Sequence, residues 1–224
     1  ALTNEETKDE AETWYTAGDI NFRLYDKCLK LKSIGQDVDE NLMYSSLING
    51  YDKMRQALKS DSVIVRDKHG NPKTEKDGSP KIKTKYSKKI IETLQEHFDD
   101  YRLAGSVFYV NLKNYESAYR AWDIYTTMPF MSFMKRGKFR ADDNAIGKYC
   151  YMKGVAAKMA GDNTRALNAF LRAITLGYDT KDVFDFAISC AETQGNEAQL
   201  VELVKQAYEH YGKDDPKYIT FLIN

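Results

Sequence analysis

Small and apolar residues recur along the second half of the chain at spacings suited to helices packed in pairs. Gly154, Ala166, Phe170 and Ala173 form a small–small–aromatic–small series across a turn at Ala160-Gly161-Asp162-Asn163. In such a pair the glycine permits close approach, the alanine lies opposite it and the ring fills the remaining gap. Gly161 suits a helix end that passes through the left-handed region. Shifted by 34 residues, the series falls on Ile188, Leu200, Val204 and Ala207, and the turn glycine recurs at Gly195 within Gln194-Gly195-Asn196. An earlier series runs through Ser106, Tyr109, Tyr115, Ala118 and Trp122 to Met128-Pro129. Its frame leads Gly154 by 48 residues, which places extra chain at 130–141.

The first series is the most distorted. Trp14, Ala17 and Gly18 open it, and Gly50, Met54 and Ala57 repeat the later spacing in a second helix expected over Leu42–Leu58. The prolines at 72, 80, 129 and 216 all fall outside periodic segments, as helices require. Thr3 and Glu6 have capping-box spacing, and Asp215-Pro216 reads as a cap followed by proline at the first helical position. Helical periodicity disappears between Ser60 and Ser87. There Val63-Ile64-Val65 and Lys81-Ile82-Lys83-Thr84 flank two turn signals, His69-Gly70-Asn71-Pro72 and Asp77-Gly78-Ser79-Pro80, which predicts a hairpin or long loop.

The period and residue pattern resemble the tetratricopeptide repeat family, whose signature is W-x2-L-G-x2-Y…A-x3-F…P over 34 residues. The departures are Asn21 for the expected tyrosine of the first copy, Ser106 for glycine, and Tyr125 for alanine. The resemblance implies an all-α helical-repeat array of about four pairs and a terminal helix. Its parts are an irregular first pair at 10–59, an insertion at 60–86, repeats at 99–129, 147–178 and 181–212, and a helix at 216–224. In that family the first helix of each pair lines the concave groove. Matching the frames puts Tyr15, Asp19 and Phe22 there, followed by Leu103, Val107 and Val110. Lys148, Tyr151, Val155 and Lys158 come next, and Asp182, Asp185, Ser189 and Glu192 complete the set. The basic clamp with which some family members hold a terminal carboxylate is missing, because the middle set is apolar and the last is acidic.

Charge adds one feature. The 33 basic and 33 acidic side chains cancel, which argues against a uniformly nucleic-acid-binding surface. The charges are nonetheless segregated: residues 66–89 carry nine Lys or Arg against Asp67, Glu75 and Asp77, while 179–224 carry four Lys against nine acids. A second basic cluster comprises Lys135, Arg136, Lys138 and Arg140. The 16 tyrosines, 10 phenylalanines and 2 tryptophans belong to a chain with a core. Cys28, Cys150 and Cys190 are widely spaced, and read as small buried side chains.

Sites for chemistry do not emerge. His69, His97 and His210 have no metal-ligand spacing, and neither a phosphate-cradling loop nor a nucleophile elbow is present. The pairs Asp99-Asp100, Asp142-Asp143 and Asp214-Asp215 read chiefly as helix caps. No cofactor, metal or catalytic residue is expected, and no apolar run is long enough to span a bilayer. The expected role is a non-enzymatic scaffold or adaptor that takes another protein or peptide in a partly apolar groove, with no nucleic-acid partner. The alternative is a glycan- or substrate-binding accessory domain of a bacterial cell-envelope protein, which would need exposed tyrosines. The start at Ala1 and the large insertions tilt the expectation towards a processed extracytoplasmic protein over a cytosolic one.

Overall fold

The computed structural model describes residues 10–135, 138–139, 141–212 and 216–223. The Thr3–Glu6 box, Asp214-Asp215, and Arg136 and Arg140 of the second basic cluster lie outside the described residues. The described chain is all-α apart from one short β-hairpin, and divides into two compact units, 1–98 and 99–224. Among the described residues no helix is long and apolar enough to cross a membrane.

The first unit pairs α1 (Ala11–Ser33) with α2 (Glu40–Ser60). Two reciprocal contacts set their approach. A Cβ on Gly18 would lie 2.9 Å from Met54 Cγ, and one on Gly50 would lie 3.0 Å from the Phe22 ring. Each helix thus supplies a glycine opposite the other's large side chain. Gly35, at φ 79°, ends α1, and Asp39 caps α2 by accepting from Leu42 N at 2.9 Å. Phe22 is only 3% exposed, so it is a core residue and not part of a groove. The hairpin β1 (Val63–Ile64) and β2 (Ile82–Lys83) then precedes α3 (Ser87–Glu96), which buries Ile90 and Leu94. The sequence pattern places His97 in a helix but leaves 87–98 outside the repeat frame.

The second unit runs α4 (Phe98–Val110), α5 (Tyr115–Thr127), a 3₁₀ turn at Met128–Phe130, α6 (Asp143–Met159), α7 (Asn163–Thr175), α8 (Lys181–Thr193), α9 (Glu197–Tyr211) and α10 (Lys217–Ile223). Three of its turns share one design. A residue with positive φ (Lys113 at 52°, Gly161 at 84°, Gly195 at 65°) is followed by a side-chain cap. Asn114, Asp162 and Asn196 accept from Ser117 N, Arg165 N and Gln199 N at 3.0, 2.8 and 3.2 Å. Asp162 N and Asn196 N also reach back to Ala157 O and Ala191 O, five residues earlier, whereas Asn114 N reaches Phe108 O, six earlier. The α4–α5 turn is therefore one residue longer. As a result Gly105, and not Ser106, takes the close-contact position: its Cβ would lie 2.3 Å from Trp122 Nε1, as that of Gly154 would lie 2.5 Å from Phe170 Cε1. Asp142 caps α6 through Ala145 N at 2.7 Å, while Asp99 and Asp100 sit in the first turn of α4, where the helix dipole favours acids.

Candidate binding surfaces of the two units

On α6 the side chains of Tyr151, Val155 and Lys158 are half-buried on one face, and Lys148 is exposed. On α8, 34 residues on, Asp185 and Ser189 are half-buried, and Asp182 and Glu192 are exposed. The longer α4–α5 turn moves the register of α4 by one. Arg102, Ser106 and Tyr109 carry the same half-buried pattern as Tyr151, Val155 and Lys158. Leu103 (45% exposed) and Val110 (58%) lie one step further round the helix, with Val107 half-buried beside them. Side chains join these first helices in sequence. Arg102 Nη1 donates to Tyr149 OH at 3.5 Å between α4 and α6, and Lys158 Nζ donates to Ser189 Oγ at 3.3 Å between α6 and α8.

Tyr151 forms part of the wall of this face. Its ring centroid lies 6.0 Å from Phe170, 5.9 Å from Tyr178 and 6.1 Å from Phe186, in tilted arrangements suited to aromatic packing. Burial pushes its phenol pKa up, and the nearby Asp182 carboxylate adds to the shift. At the far end Asp185 accepts from Lys217 Nζ and Tyr218 OH, both at 2.6 Å, tying α8 to α10. These three residues, with Ile188, Ser189 and Glu192, line an open recess of about 190 Å³. Asp185 and Ser189 thus line the same recess. Tyr15 and Asp19 belong to the first unit, where Tyr15 stacks on Tyr86 at 4.5 Å and Asp19 pairs with Arg23 at 2.8 Å.

A second polar centre fills the α5–α6 contact. Lys153 is buried, with its Nζ 3.1 Å from Asp123 Oδ1 and 3.4 Å from Thr126 Oγ1. Arg120 also reaches Asp123, at 3.3 Å. Burial raises the Cys150 thiol pKa against the smaller opposing pull of Lys153, so the thiol stays protonated and poorly nucleophilic. This is the arrangement of a satisfied structural pair. Lys153→Met is therefore expected to change the unfolding free energy by less than about 1 kcal/mol, because Met fills the stem's volume and Asp123 keeps Arg120. A urea titration of both proteins checks it, and a loss above about 3 kcal/mol would show the ion pair to be indispensable. Among the described residues no group of three or more His, Cys, Asp or Glu could hold a metal ion.

The insertion at 60–86 is more ordered than its composition suggests. It contains a tandem octapeptide, Val65–Pro72 and Lys73–Pro80, whose eight-residue period is legible in the sequence and lies outside the 34-residue frame. The two copies make the same backbone bonds. Asp67 N donates to Asn71 O and Glu75 N to Ser79 O, both at 2.8 Å. Gly70 N donates to Asp67 O and Gly78 N to Glu75 O, both at 3.1 Å. Val65, Lys73 and Lys81 close a ring in which each amide donates to the next carbonyl at 2.8–2.9 Å. The buried Asp61 carboxylate clamps the neck, accepting from Lys85 N (2.9 Å), Tyr86 N (2.8 Å), Ser87 N (2.6 Å) and Ser87 Oγ (2.7 Å). Burial pushes the Asp61 pKa up, but the Ser87 hydroxyl and the three amides outweigh it and hold the group below the usual carboxylate range.

No family model matches the chain, and no curated protein matches it.

Proposed function

We propose that the second unit is a tetratricopeptide-like array, and that the chain is a non-enzymatic scaffold holding a polypeptide along α4, α6 and α8. The observation that carries this reading is the shared register of those three helices. Two of them present three half-buried positions in step, Arg102, Ser106 and Tyr109 on α4 and Tyr151, Val155 and Lys158 on α6, and α8 continues the register with half-buried Asp185 and Ser189 and exposed Glu192. Such a row gives an extended ligand Tyr151 and Val155 at its centre beside Lys158, with Arg102 at one end and the acidic Asp185 and Glu192 at the other. Half-buried aromatics with polar rims are the usual anchors of protein interfaces. The glycan-binding alternative requires exposed tyrosines. Of the 16 tyrosines only Tyr208, at 40%, is exposed, and Tyr25, Tyr44, Tyr51, Tyr101, Tyr125 and Tyr218 are core.

A photo-cross-linking residue distinguishes this face from the rest of the unit. Placed at Val155, it is expected to form an adduct with a polypeptide from native extract, and placed at the exposed Asn168 of α7 it is expected to form none. Adducts from Asn168 without any from Val155 would reject the assignment.

A further inference from the structure

The arm at 62–84 is built in a way that a passive connector does not require. Its neck is clamped by four hydrogen bonds to one buried carboxylate, its middle is closed by the Val65–Lys73–Lys81 ring, and its two tips are glycine turns. At the first tip Asp67 Oδ1 accepts from His69 N at 2.8 Å and Asn71 N at 3.0 Å. At the second, Asp77 Oδ1 accepts from Ser79 N at 3.0 Å and Ser79 Oγ at 2.7 Å. The arm's own carboxylates are therefore largely engaged by its backbone. Its cations are not: Lys68, Lys73, Lys76 and Lys83 are exposed and take no acidic partner among the described residues. At the base, Ile64 lies directly opposite Ile82, so both side chains occupy one face of the ladder, and they are 42% and 58% exposed.

We propose that this arm is a preorganised docking element for an acidic polypeptide segment that also carries aliphatic side chains. Lysines carried on a hydrogen-bonded backbone frame meet carboxylates without the cost of ordering that backbone, and the Ile64–Ile82 face gives the segment an apolar seat. Three features favour a polypeptide over other polyanions. Asp67, Glu75 and Asp77 divide the basic surface into separate lysines, which suits a peptide whose carboxylates are spaced by other side chains better than a continuous phosphate surface. The tips carry His69, Asn71 and Ser79 and no large apolar group to enter a bilayer, and the exposed aliphatics sit at the base. No Phe, Tyr or Trp lies between Asp61 and Lys85, so His69 is the one ring there on which a base could stack, too few for a run of bases. The proposal is independent of the array reading, because the arm belongs to the first unit and the α4–α6–α8 face to the second.

The test uses the whole chain and a fluorescent peptide of alternating Glu and Leu, with poly-glutamate and phosphatidylglycerol vesicles in parallel. The chain is expected to bind the Glu-Leu peptide more tightly than poly-glutamate, with an affinity that falls as salt is raised. Lys68→Gln, Lys76→Gln and Lys83→Gln together should weaken that binding about tenfold. Replacing Ile64 and Ile82 by Ser should bring the Glu-Leu peptide down to the poly-glutamate level. Equal peptide binding by the triple-Gln variant overturns the proposal. So does binding of the vesicles without the peptides, which would make the arm a membrane contact.

Discussion

Gly154→Leu is expected to lower the unfolding free energy by about 3 kcal/mol, at the upper end of what overpacking a core usually costs. A β-carbon there would lie 2.5 Å from Cε1, 2.7 Å from Cδ1 and 2.9 Å from Cζ of Phe170, inside any tolerable contact. Phe170 is fully buried and stacked on Phe186 at 5.6 Å, so its ring cannot swing away without disturbing the α7–α8 contact. Relief must come from moving α6 off α7. Gly105→Leu should behave alike, since the Trp122 indole is equally close and donates from Nε1 to Arg102 O at 3.2 Å. Gly161→Ala is the control: nothing lies within 4 Å of its Cβ, and only its φ of 84° opposes the change, so a loss of about 1 kcal/mol is expected. Urea melts of the three variants separate the effects. If Gly154→Leu cost no more than Gly161→Ala, the helix pair would not be set by this contact.

Removing the Asp61 carboxylate should have a comparable effect in the first unit. Asp61→Ala deprives three backbone amides and a hydroxyl of one charged acceptor, and hydrogen bonds to a charged group are individually strong. The amides belong to Lys85, Tyr86 and Ser87, so the change frees the arm's neck and uncaps α3 together. The opening free energy of residues 61–96 is expected to fall by about 3 kcal/mol. Amide hydrogen exchange reads it, and unchanged protection across α3 would show that Asp61 does not hold the neck. The pH dependence follows from the lowered pKa. The carboxylate's contribution is fully present above its ordinary unfolded value and is lost as pH falls through the lower folded value. Protection of the arm should accordingly be flat through neutral pH and fail only in strong acid.

Much of the helical architecture is visible as spacing. Turn residues announce themselves locally: Gly161 and Gly195 recur one period apart, and Asp162 and Asn196 follow them as caps. The small residues that allow close approach at Gly18, Gly50 and Gly154 are equally legible, because only their size matters. The candidate surface is less so. A single additional residue in the α4–α5 turn, accommodated by Lys113 at φ 52°, shifts α4 by one position, so that Arg102, Ser106 and Tyr109, and not Leu103, Val107 and Val110, match the burial pattern of Tyr151, Val155 and Lys158. Counting back from the second helix cannot detect that shift, which shows in the bond from Asn114 N to Phe108 O and in the contact of Gly105, and not Ser106, with Trp122.

The remaining differences have the same origin. Phe22 fits the groove frame by spacing, yet Gly50 of α2 opens a slot that draws its ring into the core. The α3 helix carries no side-chain cap of its own at Tyr86; its start is held by Asp61, 26 residues before Ser87 in the chain. The tandem octapeptide was written in the sequence throughout, but its closing bond from Val65 N to Lys81 O spans both copies. Outside α3, most helix ends and turns are legible from spacing, because caps, glycine turns and apolar periodicity act between near neighbours along the chain. Which face each helix presents and which carboxylate holds the arm depend on contacts between residues far apart in the chain, and so emerge only on folding.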